Sequence, residues 1–273
     1  MIKEFITYLR DNRQLSANTI TAYGNDLGAW VIWAKSKSLR WSIIEKQDID
    51  SWVSDMTANG LKPRTIKRRV SALRSLLRWA TINKMIASNE ARFVQTPKPA
   101  DTLPQSADLT ALNDYLGKPI TDHRSAMVHA MIALLMDTGI RIQEALEIRK
   151  EDFMRAQRAI RIHGKGNKER IVYYTERAAH SLTRYCGNIA AGRLFNTDQR
   201  SIRYAIYNEL HTWGLTSTHP HAIRHAYATG MLANGIDIKT LSWLLGHKSV
   251  KTTEIYTRAV NNTIAEKYKQ YHV

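Results

Sequence analysis

The segment His221-Ala-Ile-Arg224-His225 contains residue types and a spacing that could do chemistry. Pro220 precedes it and suits the first turn of a helix, so His221, Arg224 and His225 are predicted to share one helix face at positions i, i+3 and i+4. A helix N-terminus with an arginine and a histidine beside it is suited to bind an anionic phosphate.

A zinc site is the competing chemical interpretation, because His221 and His225 have the spacing of a helical metal pair. No glutamate follows His221 as in a metalloprotease helix, and Arg224 would place a fixed positive charge on the metal-binding face. We therefore expect no metal. A structural alternative, in which both histidines are held by backbone hydrogen bonds, stays open for this segment alone.

Three other segments carry polar residues with catalytic potential. Gly139 ends an apolar stretch, and Arg141 and Glu144 follow it three residues apart, where the carboxylate can orient the guanidinium. Lys165 stands between two glycines, where a lysine at a hairpin tip can enter a groove. His247 precedes Tyr256 by nine residues. Taken singly, these are an ordinary salt-bridged helix start, a solvated lysine and a packed tyrosine.

Helices and one hairpin must position these residues in the second part of the chain. Apolar periodicity predicts helices near 107–116 and 122–138, a short helix after Gly139, and mostly helix from Glu176 onward. Residues 159–163 and 169–174 are predicted to be strands joined by Gly-Lys-Gly-Asn, since glycine supplies the positive backbone angles of a tight turn. Residues 193–195 are predicted to form a further short strand.

The first part of the chain is predicted to be a bundle of four helices. They cover about residues 2–12, a stretch after Ser16, residues 48–59 up to Gly60, and a stretch from Pro63. The fourth helix has one apolar stripe: Ile66, Val70, Leu73, Leu77 and Ala80. Its other faces are basic, and we predict that they contact nucleic acid phosphates through Arg64, Lys67, Arg68, Arg74 and Arg78.

Three prolines within residues 96–104 exclude a helix and mark a domain boundary. We predict a helical, nucleic-acid-binding domain over residues 1–95, a proline-rich linker over 96–104 and a second domain over 105–273.

The composition favours a polyanionic partner. Forty lysines and arginines against 24 acidic residues give a formal net charge of +16, which attracts nucleic acid, although membrane-surface proteins are basic too. Cys186 is the only cysteine, so a reducing compartment fits. The first residues do not look like a signal peptide and no segment is long enough to span a bilayer, so we expect a cytoplasmic, nucleoid-associated protein without a membrane partner.

Five motifs in this order resemble the tyrosine recombinases, the family of phage integrases and Xer-type recombinases: TGIRIQE, GKGNKER, HAIRHAYAT, LLGHKSV and TTEIYTR. The resemblance covers essentially the whole chain. It implies a mainly α fold with a small β-sheet, in which a four-helix core-binding (SAM-like) domain precedes an α+β catalytic domain.

The resemblance also implies a role for each matching position, without metal or other cofactor. Tyr256 would attack a DNA phosphate and form a 3′-phosphotyrosine, while Arg141 and Arg224 hold the phosphate oxygens. His221 would act as the base. Three further positions complete the set implied by the family: Lys165 as the acid for the leaving 5′ oxygen, His247 as a phosphate contact, and Glu144 as support for Arg141.

The implied partner is double-stranded DNA with specific recombination sites, bound by a homo-oligomer of four protomers on two sites. The C-terminal tail, with Ile264, Tyr268 and Tyr271 on one stripe, is expected to dock on a neighbouring protomer or on its own domain. A second recombinase or a DNA-bending protein stays open as an accessory. The alternatives are a type IB-like topoisomerase and a non-catalytic DNA-binding protein of the same fold.

Overall fold

A computed structural model describes residues 1–99, 106–164, 168–187 and 192–247, together with residues 253 and 256. The chain divides into two compact units, Met1–Thr102 and Leu103–Val273, and each is described by itself. The division falls within the proline-rich segment 96–104.

The first unit is a helical bundle. Its four α-helices are α1 (Ile2–Asp11), α2 (Ala17–Ser36), α3 (Lys46–Ala58) and α4 (Pro63–Ile82), and two 3₁₀ turns cover Trp41–Ile43 and Glu90–Phe93. Pro63 occupies the first turn of α4, where its missing N–H costs nothing. Helix α3 begins two residues earlier than predicted, because the side chain of Asp48 accepts the backbone N–H of Glu45 at 2.9 Å and so satisfies a free donor at the helix start.

The core of the first unit is formed by apolar stripes of these helices. The predicted stripe of α4 is buried in full. Its members from Ile66 to Leu77 pack in one cluster with Trp30 of α2 and Trp52 of α3, whose rings meet edge to face at 5.0 Å. This packing leaves four basic residues of α4 exposed on the outside of the bundle: Arg64, Lys67, Arg68 and Arg78.

The second unit contains a three-stranded antiparallel sheet among helices. The strands are β1 (Phe153–Met154), β2 (Ala159–Gly164) and β3 (Lys168–Tyr173), in the order β1-β2-β3, with Ile160 opposite Val172. The helices are α5 (Leu109–Leu116), α6 (His123–Thr138), α7 (Ile142–Glu147), α8 (Glu176–Cys186), α9 (Gln199–Thr212), α10 (Pro220–Ala233) and α11 (Ile238–Leu245). Helix α6 is buried along nearly its whole length and forms the centre of the core. The predicted mainly helical fold with a small sheet is confirmed.

One predicted strand is wrong, and one short strand was not predicted. Residues 193–195 are not a strand: within the described residues, Arg193 makes a single isolated bridge with Arg149. The side chains of Leu194 and Phe195 are buried in the core. Their apolar character therefore reflects core position rather than sheet pairing. Strand β1 has only two residues, too few for an alternating pattern to reveal.

Among the described residues, no helix combines the length and the apolar character needed to cross a membrane.

Candidate active site

Gly139 sets the start of the site at the junction between α6 and α7. It ends α6 in the left-handed region at φ +60°, and a Cβ there would lie 2.2 Å from the ring of Tyr227. Only glycine accommodates both the backbone conformation and this close approach. The turn places Arg141 immediately before α7, with Glu144 in its first turn.

The carboxylate of Glu144 binds two arginines. Its Oε2 accepts the backbone N–H of Arg141 at 2.7 Å, and its Oε1 accepts Nη1 of the same residue at 3.0 Å. Arg170, on β3, donates Nη1 to Oε1 at 3.1 Å and Nη2 to Oε2 at 2.8 Å, a bidentate pair of the strong kind. Desolvation alone would raise the pKa of Glu144, but the hydrogen bonds and charges of Arg170 and Arg141 outweigh it and lower that pKa, so Glu144 is ionised.

Arg170 also connects the sheet to the end of α11. It is 7% exposed, and its Nε donates to the carbonyl oxygen of Leu244 at 2.8 Å. Gly246 ends α11 at φ +63°, and a Cβ on it would lie 2.7 Å from Nη1 of Arg170. The glycine before His247 is therefore required by the close approach of this arginine.

Arg224 is the most deeply buried cation of the site, at 3% exposure. Its Nη1 donates to the carbonyl oxygen of Gly139 at 2.7 Å and its Nη2 to that of Leu245 at 2.8 Å. Within the described part of the chain, Arg224 forms no ion pair. Desolvation and the charge of Arg141 lower its pKa to about 10, so it stays charged at neutral pH.

The cluster therefore holds more positive than negative charge. Three arginine charges, on Arg141, Arg170 and Arg224, meet the single carboxylate of Glu144 among these contacts, which leaves a formal excess of two. Arg170 and Arg224 are buried, and buried positive charge that exceeds its counter-charge favours the binding of an anion such as a phosphate group.

Both ring nitrogens of His247 form hydrogen bonds. Its Nε2 lies 2.9 Å from Nη2 of Arg224, and its Nδ1 lies 2.8 Å from the hydroxyl of Thr253. Desolvation, followed by the charges of Arg224, Arg141 and Arg170, lowers its pKa to about 4. His247 is therefore neutral at pH 7.

Tyr256 lies against two histidines, His247 and His225, and is 3% exposed. Its ring is parallel to that of His247 with centroids 6.2 Å apart, and it meets the ring of His225 edge to face at 4.6 Å. Its backbone N–H donates to the carbonyl oxygen of Thr253 at 3.0 Å. The structure thus brings together Arg141, Glu144, Arg224, His247 and Tyr256.

His221 lies at the outer edge of the cluster. It is exposed near the start of α10, where the ring of His219 accepts the N–H of Ala222 at 3.0 Å and caps the helix. The ring of His221 meets His225 edge to face at 5.2 Å, and His225 in turn contacts Tyr256. Desolvation and the charge of Arg224 lower the pKa of His221, which favours the neutral ring that a base requires.

Lys165 lies outside the described residues. The strands on either side of it are paired up to Gly164 and Lys168. The region of Ile264, Tyr268 and Tyr271 also lies outside the described residues. Within the described part of the chain, no group of three or more histidine, cysteine, aspartate or glutamate side chains could hold a metal ion.

Comparisons with known proteins concern the family and the fold of this chain. The model of the phage integrase family matches residues 105–262. The chain belongs to the phage integrase family. Residues 2–84 match the N-terminal SAM-like domain of phage integrases. The predicted resemblance to the tyrosine recombinases is thereby confirmed, as is the enzyme class, a tyrosine-type site-specific recombinase.

Curated relatives and solved structures extend over the same length. The chain is 27% identical to tyrosine recombinase XerD of Staphylococcus haemolyticus, over 100% of this chain and 98% of that protein. It is 29% identical to tyrosine recombinase XerC of Lactobacillus delbrueckii subsp. bulgaricus, over 98% and 97%. A XerH recombinase in a post-cleavage complex with a palindromic difH substrate covers 100% of this chain and 84% of its own, with TM-score 0.80 at 19% identity. The Tn1549 transposon integrase with transposon right end DNA has TM-score 0.77 at 16% identity, over 97% and 99%. These two structures share the fold.

The predicted DNA contacts of this phage integrase family member are in two environments on α4. Arg64, Lys67, Arg68 and Arg78 are exposed, although Nη1 of Arg68 also donates to buried Asp26 at 2.6 Å. Arg74 is half-buried, and its guanidinium donates to the carbonyl oxygens of Ala91 at 3.0 Å and Val94 at 3.2 Å. The bonds of Arg74 hold the 3₁₀ turn against α4.

Sequence reasoning assigned no role to three residues of this site: Arg170, His225 and Thr253. Arg170 had a usable signal, because alternation along β3 places it on the same face as buried Val172, where a cation needs a partner. His225 was recognised as part of its segment but received no role. Thr253 had no signal, since nothing local distinguishes it from the neighbouring Thr252.

Proposed function

We propose that this chain cleaves and rejoins DNA strands at specific sites through a covalent 3′-phosphotyrosine at Tyr256. The observation that carries the proposal is the position of Tyr256, which lies against His247 and His225 beside an arginine cluster with two positive charges in excess. A phosphodiester carries one negative charge and the five-coordinate state formed from it carries two, so this cluster suits the attack on a phosphodiester.

The arginines fit the electrostatics of phosphoryl transfer. In the five-coordinate state, negative charge grows on the non-bridging oxygens, and donors held in place beforehand stabilise it without reorganisation. Arg224 is held by two backbone carbonyls and Arg141 by Glu144. Each guanidinium can bind two oxygens and keeps its charge throughout.

The proton transfers can be written in balance. The phenolic oxygen of Tyr256 bonds to phosphorus as its proton passes to His221, and the bond from phosphorus to the 5′ oxygen breaks as Lys165 gives that oxygen a proton. Ring contacts run from His221 through His225 to Tyr256, so His225 lies on the path between the tyrosine and the base. We assign His247 to a non-bridging oxygen.

Rejoining uses the same groups in reverse. The 5′ hydroxyl of another strand attacks the phosphotyrosine, and Tyr256 leaves with a proton returned from the base. The phosphodiester energy is kept in the covalent intermediate, so the reaction needs no nucleotide cofactor. Integration, excision, inversion and dimer resolution all follow from this exchange.

The first unit would bind the DNA duplex. The exposed basic residues of α4 are suited to phosphate contacts, and two relatives of the same fold are described in complexes with DNA. Exchange between two sites calls for four protomers, and we propose a homotetramer on DNA in which the C-terminal tail docks on a neighbour. A second recombinase or a DNA-bending protein would act as an accessory.

Trapping of the covalent intermediate tests this function. A recombination site is first selected from a random-sequence pool as the duplexes that the chain binds. A nick is then placed so that the short fragment that cleavage releases with a 5′ hydroxyl diffuses away. We expect a denaturant-resistant adduct with the wild-type chain and none with Tyr256→Phe. Tyr227→Phe, which removes one hydroxyl in the same apolar cluster, is the matched control and should form the adduct.

The same substrates separate the alternatives. A non-catalytic DNA-binding protein would give no adduct with any variant. A topoisomerase-like enzyme would relax a supercoiled plasmid that lacks the selected site, whereas we expect relaxation and strand exchange only with plasmids that carry it.

A further inference from the structure

Thr253 connects the histidine and the tyrosine of the site. It is fully buried, its hydroxyl lies 2.8 Å from Nδ1 of His247, and its carbonyl oxygen accepts the backbone N–H of Tyr256 at 3.0 Å. One residue therefore contacts the side chain of His247 and the backbone of Tyr256.

The partners of His247 assign its tautomer. Arginine has N–H donors and no acceptor, so Nε2 of His247, 2.9 Å from Nη2 of Arg224, must present a lone pair. A neutral ring then carries its proton on Nδ1 and donates it to the hydroxyl of Thr253. The lowered pKa of His247 agrees with a neutral ring.

This tautomer does not suit a phosphate. Ionised phosphate oxygens accept hydrogen bonds, so a neutral His247 can bind one through Nε2 only when the proton is on Nε2 and Nδ1 accepts a hydrogen bond. A backbone carbonyl beside Nδ1 only accepts a hydrogen bond, so it would fix the Nδ1–H tautomer. A hydroxyl can accept from Nδ1–H or, after rotation, donate to Nδ1.

We propose that Thr253 is a positioning residue whose hydroxyl lets His247 change from the Nδ1–H tautomer, which accepts from Arg224, to the Nε2–H tautomer, which donates to the substrate phosphate. The change moves one proton from Nδ1 to Nε2 and leaves the ring neutral. It also releases one N–H of Arg224 toward the phosphate. The contact of the Nε2–H tautomer with the substrate phosphate rests on the proposed function. The Nδ1–H tautomer of the free protein does not.

Nitrogen NMR of the full chain reads the tautomer directly. Histidine is labelled with ¹⁵N, the signals of His247 are assigned by their loss in His247→Gln, and inorganic phosphate serves as the probe. We expect a protonated Nδ1 in the free protein and a protonated Nε2 at saturating phosphate. A ring that keeps its proton on Nδ1 with phosphate, or that already has it on Nε2 without phosphate, overturns the proposal.

Two substitutions separate the hydroxyl from the packing of Thr253. Thr253→Val keeps the shape and loses the hydroxyl, and Thr253→Ser keeps the hydroxyl. We expect adduct formation to be about tenfold slower for the valine variant, because one hydrogen bond is lost. The serine variant should form the adduct at a rate near that of wild type. Thr229→Val is the matched control, because that hydroxyl bonds only to a backbone carbonyl among the described contacts.

The two proposals fail in different ways. If the wild-type chain forms no adduct, the proposed function fails, while the NMR response to phosphate still decides the tautomer change. If Tyr256 forms the adduct and Thr253→Val forms it at the wild-type rate, the role of Thr253 is wrong and the recombinase function stands. Should the valine variant not fold, the NMR of the wild-type and serine proteins decides alone.

Discussion

The arginines of α4 and those around Glu144 carry the same charge in opposite surroundings. On α4, Arg64 and Arg78 are exposed, where water screens their charge. In the second unit, Arg170 and Arg224 are buried; Arg170 shares the carboxylate of Glu144 with Arg141, whereas Arg224 is held by backbone carbonyl oxygens. The comparison teaches that the first set can attract any phosphate backbone, whereas the second is fixed in position by backbone carbonyl oxygens and by Glu144.

Removal of Arg224 should have the largest effect. Arg224→Ala takes away a buried donor held in place for the reacting phosphate, and we expect cleavage to slow by about 10²–10³-fold, with DNA affinity changed much less. Single-turnover adduct formation at saturating protein measures this. Comparable losses in binding and in cleavage would show that Arg224 acts as a general DNA contact, like the arginines of α4.

Removal of the Glu144 carboxylate, which Arg141 and Arg170 share, should have the second largest effect and should lower stability. Glu144→Gln leaves the buried Arg170 without its counter-ion, which we expect to cost about 3–5 kcal/mol of unfolding free energy, and it releases Arg141 from its orientation. Urea unfolding of the full chain measures the loss. Glu147→Gln is the control: it lies on the same helix and is exposed, and an equal loss there would contradict the ion-pair explanation.

The Arg141–Glu144 contact was predictable because helical spacing is local, and so were the helices, the hairpin and the order of the motifs. The Arg170–Glu144 contact joins residues 26 positions apart, and that between Arg224 and Leu245 spans 21 positions. Such contacts depend on how β3, α7 and α11 pack, which periodicity does not show. The strand expected at residues 193–195 was wrong for the same reason, since apolar residues look alike in a sheet and in a core.

The buried histidines should make the second unit sensitive to mild acid. His225 and His247 have their pKa lowered to about 4, mainly by desolvation, whereas an unfolded histidine titrates near 6.5. The unfolded chain therefore binds more protons between these values, and stability falls as pH falls through this window, by up to about 1.4 kcal/mol per pH unit for each histidine. Thermal unfolding of His225→Gln should show a weaker pH dependence than wild type, and the exposed control His180→Gln should not.

The smallest effects are expected on α4. Arg78→Ala should weaken DNA binding a few-fold and reduce the slope of log affinity against log salt by about 0.9, the value for one phosphate contact. Arg74→Ala should leave that slope unchanged and lower stability by about 1–3 kcal/mol, because its guanidinium bonds to carbonyl oxygens of the first unit. Binding titrations at several salt concentrations, with unfolding in parallel, distinguish the two. A reduced salt slope for Arg74→Ala would show that it contacts phosphate as well.

The central claim is that Arg141 and Arg224 act on the negative charge of the non-bridging phosphate oxygens, and a substrate that lacks this charge tests it most directly. A methylphosphonate at the cleavage position replaces one charged oxygen with a methyl group and leaves the bridging 5′ oxygen unchanged. The measurement is the ratio of adduct-forming rates of wild type and Arg224→Ala on each substrate. The account predicts a large ratio on the normal phosphate and a ratio close to one on the methylphosphonate. An equally large ratio on both substrates would contradict it.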